Sequence, residues 1–424
     1  MKQYDLIIAG AGASGLMAAL SASREGLKVL LLEKMEKAGR KVRITGKGRC
    51  NITNTKPWNE FSEHIYPKSN FFKPAFRSFS NSDTLNLFEE IGLEVSVERG
   101  ERAYPASGKA ADVVTALTDE ILRNKAEIKY MSKVTGFTTD NNLITSVSWE
   151  ESGVARTSVA KALIIATGGL SYPLTGSDGD GYKIAAQAGH SVSQCLPSLT
   201  ALMPVKFDTA LSGLLLKNVA VKLFVGKDLV QEEFGDTEFT SNGLEGPLGL
   251  RISRKAVRAL SSGNKVFVDI DLKPALTEDQ IIARIKREFS ADGKIRLNDL
   301  LVKLLPKQLI IPFGNSSGLL QSKILSLQFP GEIYKLADLL KCWRLEISGF
   351  TSFERCVITA GGINLDEILP KTMASRIIPN LFFAGEVIDL DGDTGGYNLQ
   401  IAFSTGHLAG RSAAYLIKKS SSNS

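Results

Sequence analysis

The chain has 424 residues, 43% of them hydrophobic, enough to bury a sizeable core across two or three domains. Its 51 basic and 45 acidic residues leave a formal charge of +6 spread along the chain, so a nucleic-acid binder with a long basic face is unfavoured. Cys50, Cys195, Cys342 and Cys356 form no C-x-x-C, only three histidines are present, and no apolar run reaches membrane-spanning length. No metal site and no membrane span are therefore expected.

The chain enters a strand at once, with no room for a signal peptide, and the expected location is cytoplasmic. Asp5 to Ala9 is that strand, and it breaks into Gly10-Ala11-Gly12-Ala13-Ser14-Gly15. A small-residue helix follows to about Arg24, and Lys28 to Leu32 is a second strand ending at Glu33 and Lys34. This is G-x-G-x-x-G between a strand and a helix, with an acid closing the next strand. Gly10 suits a tight turn, Gly12 lets a pyrophosphate approach the backbone, and Gly15 lets helix and strand pack closely. The helix N-terminus supplies N–H groups for phosphate. Glu33 suits the hydroxyls of an adenosine ribose that carries no 2′-phosphate.

Ala38 to Asn54 alternates glycine and cations, with little periodicity for helix or strand. It follows the carboxyl edge of the second strand, where ligands of parallel sheets bind, although a solvated basic loop is the alternative. Pro57 to Gly100 is aromatic-rich, with a helix over Thr84 to Glu90. Asp112 to Arg123 is a second amphipathic helix, and Glu127 to Tyr130 and Leu143 to Trp149 are strands. Val134 lies where such folds let an adenine meet the backbone. Ala162 to Ala166 is a buried strand whose Thr167-Gly168-Gly169 brings bare backbone close to a planar or anionic group; a plain turn is the alternative. Asp178 and Asp180 fail EF-hand spacing because Tyr182 holds the third ligand position.

From Thr200 to Lys341 the texture changes to an antiparallel β unit, with strands at Leu202 to Phe207, Val219 to Val225 and Val266 to Ile270. Helices are expected at Ile281 to Phe289, Asn298 to Leu304, Leu319 to Ser326 and Glu332 to Leu340. Leu345 to Gly349 is read as a turn back. Leu381 to Ala384 is a buried strand leading into Gly385-Glu386-Val387-Ile388-Asp389. Asp389 to Gln400 then opens a last helix, another anion or carbonyl-oxygen site at a helix N-terminus; Thr394 and Gln400 exclude calcium.

Five stretches carry a resemblance: GAGASG, GRKVRITGKGRCNITN (39–54), ATGG (166–169), PLTGSDGDGY (173–182) and AGEVIDLDGDTGGYNLQIAFSTGHLAG (384–410). The chain resembles the BaiN-type, aminoacetone-oxidase-like family of NAD(P)/FAD-dependent oxidoreductases. The resemblance implies an α/β fold: a Rossmann-like FAD-binding domain (1–198 and 343–424) with an inserted β-rich and helical substrate domain (199–342). It implies FAD along Gly10, Gly12, Ala13, Ser14, Gly15, Glu33 and Lys34. Arg40, Lys41, Thr45, Gly46, Gly48, Arg49, Cys50 and Asn51 would run along phosphate, ribityl and flavin. Val134, Ala166, Thr167 and Gly168 would join them. Gly385, Glu386 and Asp389 would approach the ribityl side, and Gly396, Tyr397, Asn398 and Leu399 the flavin's pyrimidine edge. Tyr172, Tyr397 and Cys50 are candidate proton-handling groups, with none singled out. The expected activity is hydride transfer between a small organic substrate and FAD, with NAD(P)H as a transient reductant. An oxygen-using amine oxidase and an RNA-modifying flavoprotein are the alternatives.

Overall fold

The computed structural model describes residues 2–290, 293–320 and 322–422. It divides into two units, Met1–Leu196 with Val357–Ser424, and Pro197–Cys356.

The first unit is built on a seven-stranded sheet. Its strands include β1 (Gln3–Ala9), β2 (Val29–Leu32), β3 (Glu127–Lys129), β4 (Ser132–Asp140), β5 (Leu143–Glu151) and β6 (Val154–Ile165). The order is β3-β2-β1-β6-β5-β4, and the strand Leu381–Phe383 lies parallel to the end of β6. β6 changes partner along its length. Val154 to Val159 pair antiparallel with β5, while Val159 to Ile165 run parallel to β1. The sequence reading began this strand at Ala162 because only its apolar second half is buried on both faces; the first half alternates with solvent.

Helix α1 (Ala13–Arg24) is buried over eleven of its twelve residues. Small side chains allow this, because the last helix, Tyr397–Ser422, crosses α1 at backbone distance. A Cβ on Gly406 would lie 2.2 Å from the Ser14 carbonyl oxygen, and one on Gly410 would lie 2.4 Å from that of Ala18. Residues nearly 400 positions apart thus share one core.

The second unit holds a closed six-stranded barrel: Leu202–Pro204, Gly243–Glu245, Asp228–Thr240, Leu214–Val225, Val266–Asp271 and Trp343–Phe350. The stretch read as a turn, Leu345 to Gly349, is part of that last strand. It pairs with Val266–Asp271 on one side and Leu202–Pro204 on the other, so the unit extends past 342 to Cys356. The helix expected over Leu319 to Ser326 is not formed. Ile310–Ser317 is helical instead, and Ile324–Ser326 pairs as a strand with Lys294–Arg296. The helix Gly246–Ser261 went unread because Gly246, Pro247 and Gly249 mask its start; Pro247 sits in the first turn, where proline is tolerated.

Candidate dinucleotide cleft

The first unit contains a cleft enclosing about 1220 Å³ of empty space, its open mouth included. It lies over the carboxyl ends of β1, β2 and β6, where a parallel sheet exposes its loops.

The fingerprint glycines play three different parts. Gly10 has φ +98°, and a Cβ there would lie 2.6 Å from the Ala166 carbonyl oxygen. At Gly15 a Cβ would lie 1.8 Å from the Gly10 oxygen, so Gly15 packs helix on strand and stays outside the lining. Gly12 is different: its φ is an ordinary −78°, and a Cβ there would meet nothing within 4 Å. Gly12 begins α1 without a side-chain cap, and no acid stands in the first turn. Its first N–H groups therefore keep their capacity for an anion.

Glu33 is buried, and its two oxygens accept the N–H groups of Ala11 and Met35, each at 2.8 Å. Burial raises its carboxyl above the usual range, against the opposing pull of those two bonds. Each oxygen still has a lone pair for a hydroxyl donor. Lys34, Val134, Ala166, Thr167 and Gly168 line the same end or floor of the cleft. Thr167 Oγ1 is buried against Gly181, where a Cβ would lie 2.0 Å away, with no hydrogen-bond partner among the described residues.

The basic stretch departs from its reading as a loop. Arg40–Ile44 is a short helix, followed by a turn in which Gly46 and Lys47 are left-handed. Arg40, Lys41 and Thr45 line the cleft, but Arg40, Lys41 and Arg49 each have a carboxylate partner. Arg40 pairs with Glu36 at 2.6 Å, and Arg49 pairs with Glu98 while lying 4.4 Å over the Tyr104 ring. Lys41 Nζ meets Glu386 at 2.6 Å and Ser171 Oγ at 2.8 Å. Burial would raise the Glu386 carboxyl, but Lys41 and hydrogen bonds from Ser171 and Thr359 hold it below the usual range.

Asn398 and Leu399 also line the cleft. The Asn398 side chain accepts the Gly392 N–H and donates to the Gly392 carbonyl, both at 2.7 Å, fixing the loop that starts the last helix. Several expected contacts are not part of this surface. Gly46, Gly48, Arg49, Cys50, Asn51, Gly385, Asp389, Gly396 and Tyr397 are outside the lining. Gly385 and Gly396 are glycine for packing, since a Cβ would reach Ser14 Oγ at 2.4 Å and the Thr53 carbonyl carbon at 2.3 Å.

None of the three proton-handling candidates lines the cleft. Cys50 is fully buried, and burial pushes its thiol up to about 12 despite a hydrogen bond with Thr45. Tyr397 is buried between Phe61 (4.7 Å) and His64 (4.4 Å). Tyr172 is half-buried, left-handed at φ +49°, and outside the lining. Sequence reading missed Ser132, Lys133, Thr175, Ser177 and Asp180 as lining residues. Thr175, Ser177 and Asp180 sit in the PLTGSDGDGY motif, so the signal was there without a role attached. The His64 Nδ1–Asp393 contact at 2.8 Å was also missed, because its partners stand 329 residues apart.

A sheet whose parallel strands carry an uncapped glycine turn and an acid on the neighbouring strand defines a Rossmann-type α/β protein, here with a barrel unit in the same chain. The family model described as HI0933-like protein Rossmann domain matches residues 4–412, and the chain belongs to that family. It is 31% identical over 409 residues to a 3-dehydro-bile acid delta(4,6)-reductase of Clostridium scindens, covering 96% of this chain and 98% of that one. It is 30% identical over 414 residues to a ribosomal RNA dihydrouridine synthase of Escherichia coli, covering 96% of both. The solved 3-ketosteroid delta1-dehydrogenase of Sterolibacterium denitrificans, in complex with 1,4-androstadiene-3,17-dione, shares the fold. Its TM-score is 0.55 at 12% identity, over 98% of this chain and 100% of that one.

Proposed function

We propose that this protein is an FAD-dependent oxidoreductase that saturates a carbon–carbon double bond conjugated to a carbonyl, with NAD(P)H as its reductant. The observation that carries the cofactor reading is Gly12. Protein atoms account for glycine at positions 10 and 15, but among the described residues nothing lies within 4 Å of where a Gly12 side chain would begin. A closely approaching ligand accounts for it.

In this reading the α1 N-terminus binds the pyrophosphate through the Ala13 and Ser14 backbone, and Glu33 takes the adenosine ribose. Arg40 and Lys41 shape the middle of the cleft, since their charges are met by Glu36 and Glu386. The start of the last helix, at Asn398 and Leu399, presents a positive dipole end to the flavin's pyrimidine edge. Bound flavin supplies the hydride chemistry; the protein orients it and its substrate.

The full-length relatives support the reaction class. A delta(4,6) steroid ketone and the uracil ring both offer a ring C=C conjugated to a carbonyl. Hydride adds to the carbon remote from the carbonyl and a proton to the adjacent one. The E. coli relative favours a second reading, in which the ring is a uracil in RNA. Its test is salt-sensitive RNA binding by the FAD-loaded protein, with loss of uracil absorbance on turnover. For the first reading, the yellow protein is reduced anaerobically with NADH or NADPH and then mixed with a cyclic enone. Bleaching by one nicotinamide and return of colour with the enone are expected, with ping-pong kinetics. A colourless protein that takes up no FAD overturns the cofactor reading, and intersecting initial-rate patterns overturn the transient role of NAD(P)H.

A further inference from the structure

Two lysines line the cleft beside Glu33: Lys34, the next residue, and Lys133, which precedes Val134 on β4. Ammonium groups beside an adenosine ribose are what a 2′-phosphate seeks. Here they are engaged elsewhere. Lys34 Nζ lies 2.8 Å and Lys133 Nζ 3.0 Å from the same oxygen, Oδ2 of Asp180. Lys34 also meets Asp178 at 2.5 Å, and Lys183 stands 3.8 Å from the other Asp180 oxygen. Asp180 is itself buried and lines the cleft. Burial would raise its carboxyl, but the two lysines overcome this and hold it at about 2, so it is ionised at any working pH.

The backbone makes this arrangement specific. Asp180 opens the helix Asp180–Gln187, directly after Gly179 at φ +85°. The preceding segment crosses to Lys34 with Gly176 at φ +108°, where a Cβ would lie 3.0 Å from Met35 and 3.3 Å from Lys34. Thr175, Gly176 and Ser177 line the cleft. The segment is thus laid on the cleft end and pinned there through Asp180.

We propose that Asp180 is a specificity-determining residue: by occupying Lys34 and Lys133 it closes the adenosine end of the cleft to nucleotides bearing a 2′-phosphate. Glu33 repels such a group, and Asp180 engages the two lysines beside it that would compensate. The cleft thereby admits FAD while rejecting NADPH and NADP⁺, which share the adenosine half but carry the extra phosphate. This inference rests on the FAD reading for its biological meaning, while the charge arrangement can be probed without flavin.

The test compares 5′-ADP with 2′,5′-ADP binding to flavin-stripped wild type and Asp180→Asn by calorimetry, with FAD uptake measured in parallel. Wild type is expected to prefer 5′-ADP. D180N frees two cations, and its preference is expected to shift toward 2′,5′-ADP by roughly tenfold or more, the worth of one charge-assisted hydrogen bond. Adding Lys133→Gln to D180N is expected to remove most of that gain. An unchanged ratio in folded D180N overturns the proposal. If D180N does not fold, the double variant Lys34→Gln/Lys133→Gln, which removes both cations that Asp180 holds, is compared with wild type: an unchanged preference for 5′-ADP is expected if Asp180 already silences them, and a marked rise in that preference overturns the proposal. Wild type that binds both ADP probes but no FAD defeats the flavin reading instead, and the two failures are told apart.

Discussion

Substituting Gly12 by alanine separates ligand binding from folding. The added methyl meets no protein atom within 4 Å, and φ −78° with ψ −172° is open to any residue. Gly12 is the N-cap of α1, where alanine is poorer than glycine by up to about 1 kcal/mol. The reduced freedom of the unfolded chain offsets about 0.4–1 kcal/mol of that. The ligand-free protein should therefore melt within a few degrees of wild type. FAD affinity should fall at least a hundredfold, about 2.7 kcal/mol, because the methyl stands where a pyrophosphate must touch the backbone. Gly15→Ala is the contrasting control. Its methyl would lie 1.8 Å from a backbone oxygen, so unfolding should precede any specific loss of binding. Flavin fluorescence titration and thermal melts of ligand-free protein read both quantities. If G12A binds FAD within threefold of wild type, the space above Gly12 is not the pyrophosphate site.

Other expectations follow from the buried groups. Burial, with Arg411 adding to it, lowers the His407 imidazole to about 4, so the unfolded chain, near 6.5, takes up the proton first. Stability from neutral His407 is fully present above pH 6.5 and is lost as pH falls toward 4, by up to about 3 kcal/mol. Urea melts at pH 7 and pH 5 should show this, and His407→Gln should flatten the difference. Glu386→Gln leaves Lys41 without its buried carboxylate and should destabilise the protein by about 3–5 kcal/mol, read by denaturant melts. Cys50 should resist iodoacetamide at pH 8 until the chain is unfolded, as mass spectrometry of the labelled peptides will show.

The first strand, helix and second strand were legible because their signals are local: apolar runs, a glycine triplet and an acid at a fixed distance. The helix Glu278–Arg287, expected from Ile281, starts at a reciprocal box between Thr277 and Gln280, while the similar Ser80–Asp83 box that opens Asn81–Glu90 went unread. Elements governed by distant partners were not legible. The polar half of β6 is a strand because β5 pairs with it, and Trp343–Phe350 is a strand because it closes a barrel. The same holds at the site. Arg40, Lys41 and Arg49 read as free cations in sequence, while their carboxylates, Glu36, Glu386 and Glu98, lie 4, 345 and 49 residues away. Cys50 looked reactive for want of any local sign of its burial.

The close crossing of α1 by the last helix also bears on the order of events during synthesis. The glycine turn is made within the first fifteen residues, yet Asn398, Leu399, Ile401 and Ala402 complete the cleft wall. α1 is small-residued because Gly406 and Gly410 must reach its backbone. A nascent chain bearing only the fingerprint exposes that small-residue face and lacks one side of the nucleotide site. The cleft is therefore completed only once the last helix has been made, almost the entire chain after the turn.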